Sequence, residues 1–190
     1  MPNRVGLLAI QGDFDRHRKA IETCGVPDVE AREVRTPEQL AKVDRLILPG
    51  GESTTVGLLL ERYGLGDAIK QAAREGMPMW GTCMGMILMA HHVEGREQYT
   101  LDLLDITVRR NAFGSQVHSF EDRVQLPTLE LDNLGVFIRA PIVTRQGDEV
   151  TTFATYKDHV VGVQQGKLFG TSFHPELTDD RRLHCWFLEL

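Results

Sequence analysis

The chain has 190 residues, of which 42% are hydrophobic and 25% charged, and this length predicts a single domain over residues 1–190. Its formal net charge of -6 at pH 7, with no run of Lys or Arg, argues against a nucleic-acid partner. No stretch approaches the roughly 18 consecutive apolar residues of a membrane helix, and the apolar run near the start is short for a signal peptide, so we expect no membrane association and a cytoplasmic location.

The first half of the chain alternates between short apolar runs and helical patterns. The runs predict strands at residues 5–10, 45–48 and 78–80, and the patterns predict helices at residues 15–24, 53–63 and 86–90. Ser53 or Thr54 is placed to cap the second of these helices. Because strand-to-helix units repeat, we expect a mostly parallel central sheet flanked by helices, which is an α/β fold.

The second half of the chain is richer in strands. Apolar and β-branched runs predict strands at residues 106–108, 136–138 and 150–153, and a hairpin around residues 164–167. Thr178 and the two aspartates after it are expected to begin a terminal helix, which carries Leu183, Trp186 and Phe187 at helical spacing. The expected architecture is therefore one α/β domain with a β-rich second half.

The cysteine spacing and the absence of nucleotide-binding loops argue against several kinds of site. Cys24, Cys83 and Cys185 are odd in number and widely spaced, which suits neither a disulfide framework nor a zinc site. We therefore expect free thiols in a reducing compartment and no metal. No Gly-x-Gly-x-x-Gly or Walker-type loop is present, so nucleotide binding has no support.

The motif Gly-x-Cys-x-Gly at residues 81–85 lies between a predicted strand and a predicted helix. This arrangement is typical of a nucleophile elbow, in which small neighbours permit a tight turn that exposes the Cys83 thiol. The positive end of the helix favours a thiolate, and the backbone N–H of Met84 would point toward an oxyanion. The alternative is that Cys83 is simply a small buried apolar residue.

A second glycine-rich turn, at residues 49–53, follows the predicted strand at 45–48. Ligand sites in parallel sheets form at the carboxyl ends of strands, so this turn is expected to face Cys83. Gly50 and Gly51 are candidates for a further oxyanion donor. The alternative is an ordinary turn before a helix, in which Glu52 and Ser53 serve as first-turn acid and cap.

A His-Pro-Glu tripeptide follows the last predicted strand. His174 is a candidate base for Cys83, and Pro175 is a rigid spacer across which Glu176 can meet the other imidazole nitrogen. The alternative is an exposed His with a first-turn Glu before the terminal helix. The other histidines lack such context and are expected to be surface or packing residues: His17, His91, His92, His118, His159 and His184.

Two further segments offer cations near predicted strand ends. Arg109, Arg110 and Asn111 follow one strand, and Ile138 with Arg139 ends another. A guanidinium is the preferred receptor for a substrate carboxylate, so these arginines are candidate binding residues. The alternative for each is a solvated surface arginine.

Taken with these motifs, the chain resembles the class I, triad-type glutamine amidotransferases over essentially its whole length. Within that class it is similar to the glutaminase subunits of pyridoxal 5'-phosphate synthase. The elbow and the His-Pro-Glu tripeptide mark the broad class. The narrower resemblance rests on residues 48–55, Arg110-Asn111 with Phe113-Gly114, residues 135–141 and residues 172–178.

The resemblance implies a flavodoxin-like, three-layer fold and a set of site residues. Cys83 would be the nucleophile, His174 the base and Glu176 its orienting partner, with no cofactor. Glutamine would be bound by Gly51, Glu52, Ser53, Arg110, Ile138 and Arg139, partly through backbone groups. The resemblance further implies that the products are glutamate and ammonia, and that the ammonia passes to a separate synthase subunit that makes pyridoxal 5'-phosphate.

One departure from the family and two rival functions stay open. The family usually has alanine after the nucleophile, where this chain has Met84, which leaves the backbone donor but changes the pocket. A stand-alone cysteine-triad hydrolase, such as a γ-glutamyl hydrolase or a peptidase-like enzyme, would use the same three residues. A catalytically inactive binding module on the same fold is the third possibility.

Overall fold

The computed structural model describes residues 3–113 and 119–190, so the expectations made for Gly114 and His118 fall outside the described residues. The described strands are β1 (Asn3–Leu8), β2 (Val29–Val34), β3 (Arg45–Leu48), β4 (Met79–Thr82), β5 (Ala90–Val93), β6 (Leu104–Arg109), β7 (Ser119–Leu126), β8 (Leu131–Ile138), β9 (Ile142–Gln146), β10 (Thr151–Tyr156), β11 (His159–Gln165) and β12 (Leu168–Thr171). The helices are α1 (Phe14–Glu22), α2 (Pro37–Leu40), α3 (Ser53–Arg62), α4 (Leu65–Arg74), α5 (Met84–Met89) and α6 (Arg182–Leu188), with 3₁₀ turns at Pro127–Leu129 and Pro175–Leu177.

A mixed sheet forms the centre of the molecule. Its main path runs in the order β2-β1-β3-β4-β12-β11-β10-β7-β8. The pairings from β2 through β12 are parallel, whereas those from β12 through β8 are antiparallel. A smaller extension joins β5 to β6, β6 to β9 and β9 to β11. The parallel first half and the antiparallel hairpins of the second half confirm the sheet expected from the sequence.

Apolar side chains cover both faces of the sheet, as alternation along strands requires. Leu46 and Leu48 of β3 belong to one core cluster with residues of α2, α3, α4 and α5, whereas Ile47 belongs to a second cluster with residues of α1 and α6. Helices therefore lie on both faces of the sheet. The three-layer α/β arrangement confirms the expected fold class.

The structure corrects two predicted helix starts. Helix α3 is capped by Glu52, whose carboxylate accepts from the amides of Thr54 and Thr55, and not by Ser53 or Thr54. Helix α6 begins at Arg182 and not near Thr178. The hydroxyl of Thr178 instead donates to the carbonyl oxygen of Pro175, within the turn that carries the His-Pro-Glu tripeptide.

The expectation of three free thiols is wrong for two of them. Cys24, just beyond α1, and Cys185 of α6 form a disulfide, and Cys83 is the free cysteine. Their Cα atoms are 5.3 Å apart, which is within the usual disulfide range. The wide sequence separation hid the pairing, because these two helices meet on one face of the sheet. Among the described helices, none is long and apolar enough to cross a membrane.

Candidate active site

Cys83 lies on the tight turn between β4 and α5. Its backbone has φ +50° and ψ -102°, a sparsely populated combination for a residue with a side chain. A Cβ on Gly81 would come within 2.5 to 2.7 Å of the backbone of Gly85 and Met86, so the turn closes this tightly because Gly81 has none. The elbow predicted from the sequence is therefore present, with its strain at the thiol-bearing residue.

Strand pairing brings His174 beside this turn. β12 lies parallel to β4 with Thr171 opposite Thr82, and the Cys83 amide donates to the Thr171 carbonyl at 2.7 Å. The chain continues from β12 to His174, whose amide donates to the Val136 carbonyl at 2.8 Å. The His174 imidazole is thereby held next to the Cys83 thiol, close enough for the thiol to raise the pKa of the ring, while Sγ itself lies 3.8 Å from the carbonyl oxygen of Ile138.

Glu176 completes a chain of three groups. Its Oε1 atom lies 2.7 Å from Nδ1 of His174, and its side chain is fully buried. Pro175 holds the intervening backbone in a 3₁₀ turn. The structure thus brings together Cys83, His174 and Glu176 in the order that the sequence predicted.

The ionisation states of the two partners of Cys83 follow from their contacts. Burial alone would lower the pKa of His174, but its hydrogen bonds to Cys83 and Glu176 raise that pKa to about 10. Burial would raise the pKa of Glu176, yet the imidazoles of His17 and His174 beside it lower that pKa to about 2. At neutral pH the site therefore holds a carboxylate against an imidazolium, with the thiol on the other side of the ring.

A cavity of about 400 Å³ opens in front of the Cys83 thiol. This volume falls at the lower end of small-molecule pockets and suits a ligand the size of an amino acid. Its walls come from the two turns after β3 and β4, from the ends of β6 and β8, and from the loop after β1. The lining residues are Gln11, Gly12, Gly51, Glu52, Ser53, Cys83, Met84, Ile87, Arg110, Asn111, Ile138, Arg139 and His174.

Gly50 borders the site from the side of the imidazole. A Cβ at this position would overlap Cε1 of His174, so the backbone of the residue 49–53 turn packs directly on the ring. Gly51 lines the cavity beside the methyl group of Met84, which is otherwise buried. The Met84 side chain therefore shapes the cavity wall, while its amide belongs to the first turn of α5, where helix amides lack intrahelical acceptors.

Glu52 has a structural role as well as a place in the wall. Its carboxylate accepts from the amides of Thr54 and Thr55 and from the Thr55 hydroxyl; despite the opposing effect of burial, these bonds lower its pKa to about 2. Its own amide donates to Oε1 of Gln11 at 3.3 Å. The bonds orient the turn, so Glu52, expected as a first-turn acid with Ser53 as the cap, is itself the cap of α3 and also lines the cavity.

Of the three candidate arginines, Arg110 and Arg139 line the cavity and Arg109 does not. Nη1 of Arg110 donates to Oε1 of Gln98 at 3.1 Å, and its Nη2 atom lies 3.7 Å from the Glu52 carboxylate. Arg139 also lines the cavity, with a positive φ of 47° that turns the chain after β8. Arg109 instead pairs with Glu94 at 2.7 Å and lies outside the cavity lining.

Several residues at the site were not singled out from the sequence. Gln11, Gly12 and Ile87 line the cavity without any motif that would have marked them, whereas Asn111 lines it from the Arg110-Asn111 pair already noted in the sequence. Two buried histidines lie behind the triad, His17 on α1 and His184 on α6. Each lies three and four residues from other buried residues of its helix. That helical spacing is the feature of the sequence that could have placed both histidines on a buried face.

Comparison with known proteins decides the family. A sequence model described as the SNO glutamine amidotransferase family matches residues 7–190. The chain belongs to this family. Similar proteins named pyridoxal 5'-phosphate synthase subunit PdxT include a Herpetosiphon aurantiacus protein, 53% identical over 191 residues, with 98% of this chain and 99% of that protein covered. A Geobacillus thermodenitrificans protein of the same name is 49% identical over 187 residues, covering 98% of this chain and 94% of that protein.

Solved structures agree with the family and with the fold. A crystal structure described as a glutamine amidotransferase is 47% identical to this chain, with a TM-score of 0.91 and 97% of each chain covered. The structure of PurLQS from Thermotoga maritima matches 100% of this chain and 99% of that chain with a TM-score of 0.72. At 20% identity, the second likeness concerns the fold alone. The first neighbour places the SNO family member described here on a glutamine amidotransferase fold.

Proposed function

We propose that residues 1–190 form a single glutaminase domain that hydrolyses L-glutamine to L-glutamate and ammonia. The observation that carries the proposal is the line of Cys83, His174 and Glu176, whose thiol end opens into the 400 Å³ cavity. Family membership over residues 7–190 supports the choice of glutamine as substrate. No metal or organic cofactor takes part in this reaction.

The charge state of the triad suits the first half of the reaction. The Cys83 thiolate attacks the side-chain carbonyl carbon of glutamine, and electrons move onto the carbonyl oxygen. The His174 imidazolium then gives its proton to the nitrogen as the C–N bond breaks, which releases ammonia and leaves a γ-glutamyl thioester. Because the pKa of His174 is raised to about 10, the proton that the leaving group needs is already in place at neutral pH.

Neutral His174 serves as the base in the second half. It takes a proton from water, the resulting hydroxide attacks the thioester, and the C–S bond breaks to give glutamate and the Cys83 thiolate. His174 ends protonated, as it began, and the new γ-carboxylic acid gives its proton to solvent or to the released ammonia, so protons balance over the cycle. Glu176 holds the Nδ1 side of the ring throughout, which directs Nε2 toward the thiol and the leaving group.

Backbone donors and charged side chains then divide the remaining tasks. The amide of Met84 and the glycine turn of Gly50 and Gly51 stabilise the oxyanion, because Met84 and Gly51 line the cavity together with the thiol and Gly50 packs on the His174 ring. Arg110 and Arg139 bind the α-carboxylate of glutamine. Gly51, Glu52, Ser53 and Ile138 complete the amino-acid binding wall through backbone groups and packing.

The released ammonia is passed to a separate synthase subunit that makes pyridoxal 5'-phosphate. Relatives covering 98% of this chain carry the name of a pyridoxal 5'-phosphate synthase subunit, and that name supports this partner. A partner-dependent glutaminase is expected to be slow alone, because ammonia released without an acceptor is lost. A stand-alone γ-glutamyl hydrolase or peptidase would show full activity without a partner.

The test is glutamate release from glutamine by the purified protein, alone and with a pyridoxal 5'-phosphate synthase subunit. We expect strong activation by the subunit and a loss of several orders of magnitude in Cys83→Ala and His174→Gln. His159→Gln is the matched control, because His159 is exposed and outside the cavity lining. Absence of glutamate release in both mixtures would contradict the proposal, and equal activity in both would favour the stand-alone hydrolase.

A further inference from the structure

The two oxygens of the Glu176 carboxylate have different surroundings. Oε1 lies 2.7 Å from Nδ1 of His174. Oε2 is buried and makes no hydrogen bond of good geometry to the described residues, and it lies 3.4 Å from Nε2 of His17. A buried charged oxygen without a donor is costly, so the proton on the His17 ring decides how well Glu176 is held.

His17 connects this carboxylate to the nucleophile turn. Its side chain is fully buried on α1, and its Nε2 atom is also 3.2 Å from the hydroxyl of Thr82, the residue before Cys83. Its Nδ1 atom lies 2.9 Å from Nε2 of His184 on α6. One imidazole therefore touches the segment that carries the thiol and the segment that carries the base.

The two hydrogen bonds of the His17 ring are compatible with either tautomer, because the Thr82 hydroxyl can donate or accept, and the nearby carboxylate is the contact that distinguishes them. An ionised carboxylate only accepts hydrogen bonds, so Nε2 of His17 must carry the proton if it faces Oε2 of Glu176 favourably. Nδ1 is then an acceptor, and Nε2 of His184 donates to it. The edge of Trp80 packs on both rings, at centroid distances of 6.1 and 5.0 Å, and limits their rotation.

We propose that His17 is a positioning residue for glutamine hydrolysis, whose protonated Nε2 faces Oε2 of Glu176 at 3.4 Å and so keeps Oε1 aligned with His174. The proposal rests on the glutaminase function proposed above. His184 acts one step further out, because it holds His17 in the tautomer that can donate. Neither histidine lines the cavity, so neither touches the substrate.

The electrostatics of the cluster agree with this role. Burial lowers the pKa of both His17 and His184, which keeps these imidazoles neutral at physiological pH. The pKa of each histidine is affected by ionisable groups from several segments. Cys83 and Glu176 act on His174, and Asp13, Glu176 and His174 act on His17. His17, Glu176 and Arg181 act on His184. A neutral donor at His17 stabilises the Glu176 carboxylate without competing for the proton of His174.

Two substitutions separate positioning from packing. In His17→Asn the amide reaches only the position of Nδ1, so it can still meet His184 but leaves Oε2 of Glu176 without a donor. In His17→Gln the amide reaches the position of Nε2 and keeps a donor there. Both replacement side chains are polar and no larger in volume than imidazole. Each variant loses the aromatic ring, so a difference between the two variants reports the position of the amide.

The assay measures kcat and KM for glutamine with the synthase subunit present, as a function of pH. For His17→Asn we expect kcat to fall on the order of tenfold with KM unchanged, and the acidic limb of the pH profile to move up by about one unit. His17→Gln should recover most of both effects. Equal kcat and an unshifted acidic limb in the two folded variants would overturn the proposal.

A measurement on the unsubstituted protein covers the case in which the variants do not fold. Nitrogen-15 NMR of the histidine rings reports which nitrogen carries the proton. Protonation of His17 at Nε2 supports the proposal, and protonation at Nδ1 overturns it. This result does not depend on turnover, so absence of glutamate release by the unsubstituted complex would contradict the glutaminase function without deciding the role of His17.

Discussion

Thr82 and Thr171 are register partners on the adjacent parallel strands β4 and β12, and the chain segments that leave them carry Cys83 and His174. Both threonines are fully buried, and the Trp80 indole donates to the Thr171 hydroxyl at 3.0 Å. The separation of thiol and imidazole is therefore fixed by sheet register. A pair of motifs about 90 residues apart in sequence becomes one site because these two strand ends share an edge.

We predict that Arg110→Gln raises KM for glutamine by roughly ten- to a hundredfold, with a smaller effect on kcat. Arg110 lines the cavity, and a charged hydrogen bond to a carboxylate is lost in the variant. Steady-state glutaminase kinetics with the synthase subunit measure the effect. Arg109→Gln is the neighbouring control, since Arg109 pairs with Glu94 outside the cavity, and an equal rise in KM there would contradict the assignment.

We predict that Gly50→Ala lowers kcat strongly in a folded protein. The added methyl group would overlap the His174 imidazole and push the ring away from Cys83. The control is Gly166→Ala, where the methyl group meets open space but the backbone has φ +59°, so that variant should lose about 1 kcal/mol of stability with no change in kcat. Thermal unfolding and kcat measured on both variants distinguish the two effects.

The residues that line the site were easier to predict from the sequence than the buried residues that pack behind them. Cys83 and His174 lie in short motifs whose local geometry is set by glycine and proline. Such motifs can be recognised from the local sequence, without knowledge of the tertiary structure. His17 carries no such motif. It shares the buried face of α1 with Ala20 and Ile21 at spacings of three and four residues, and only the packed structure shows that a carboxylate lies opposite it.

Helix boundaries and the disulfide were missed for the same reason. Glu52 and not Ser53 caps α3 because the helix already includes Ser53, and the Glu52 carboxylate accepts from the amides two and three residues further on, a boundary that residue type alone does not reveal. The Cys24–Cys185 pair has a sequence separation of 161 residues, and its closeness depends on α1 and α6 meeting on one face. The strand-to-helix rhythm, in contrast, is a local signal and correctly predicted the parallel half of the sheet.

We predict that Cys185→Ala lowers the free energy of unfolding by about 2 to 5 kcal/mol under oxidising conditions, because the disulfide closes a long loop of the unfolded chain. Denaturant unfolding with and without a reducing agent measures this. Reduction should bring the unsubstituted protein to the stability of the variant and leave the variant unchanged. If the reducing agent lowers the free energy of unfolding of Cys185→Ala by the same amount, its effect on the unsubstituted protein does not come from the disulfide.

Stability should depend on pH in two opposite ways at the catalytic pair. For His174, burial opposes the charge, but the bonds to Cys83 and Glu176 raise the pKa from 6.5 to about 10; its stabilising contribution is therefore complete below pH 6.5 and is lost as pH rises through 10. For Glu176, burial is outweighed by His17 and His174, and the pKa falls from 4.5 to about 2; its contribution is present above pH 4.5 and is lost as pH falls through 2.

We therefore expect His174→Gln to flatten the fall in unfolding temperature between pH 6.5 and 10, because the group responsible for that fall is gone. The same variant should also flatten the acid fall in stability between pH 4.5 and 2, since Glu176 loses one of the two imidazoles that lower its pKa and less stability is then lost when it is protonated. Differential scanning calorimetry across both ranges measures the two effects, with His159→Gln as the exposed control. An unchanged alkaline fall in His174→Gln would show that the imidazolium is not stabilised by Cys83 and Glu176 as the geometry requires.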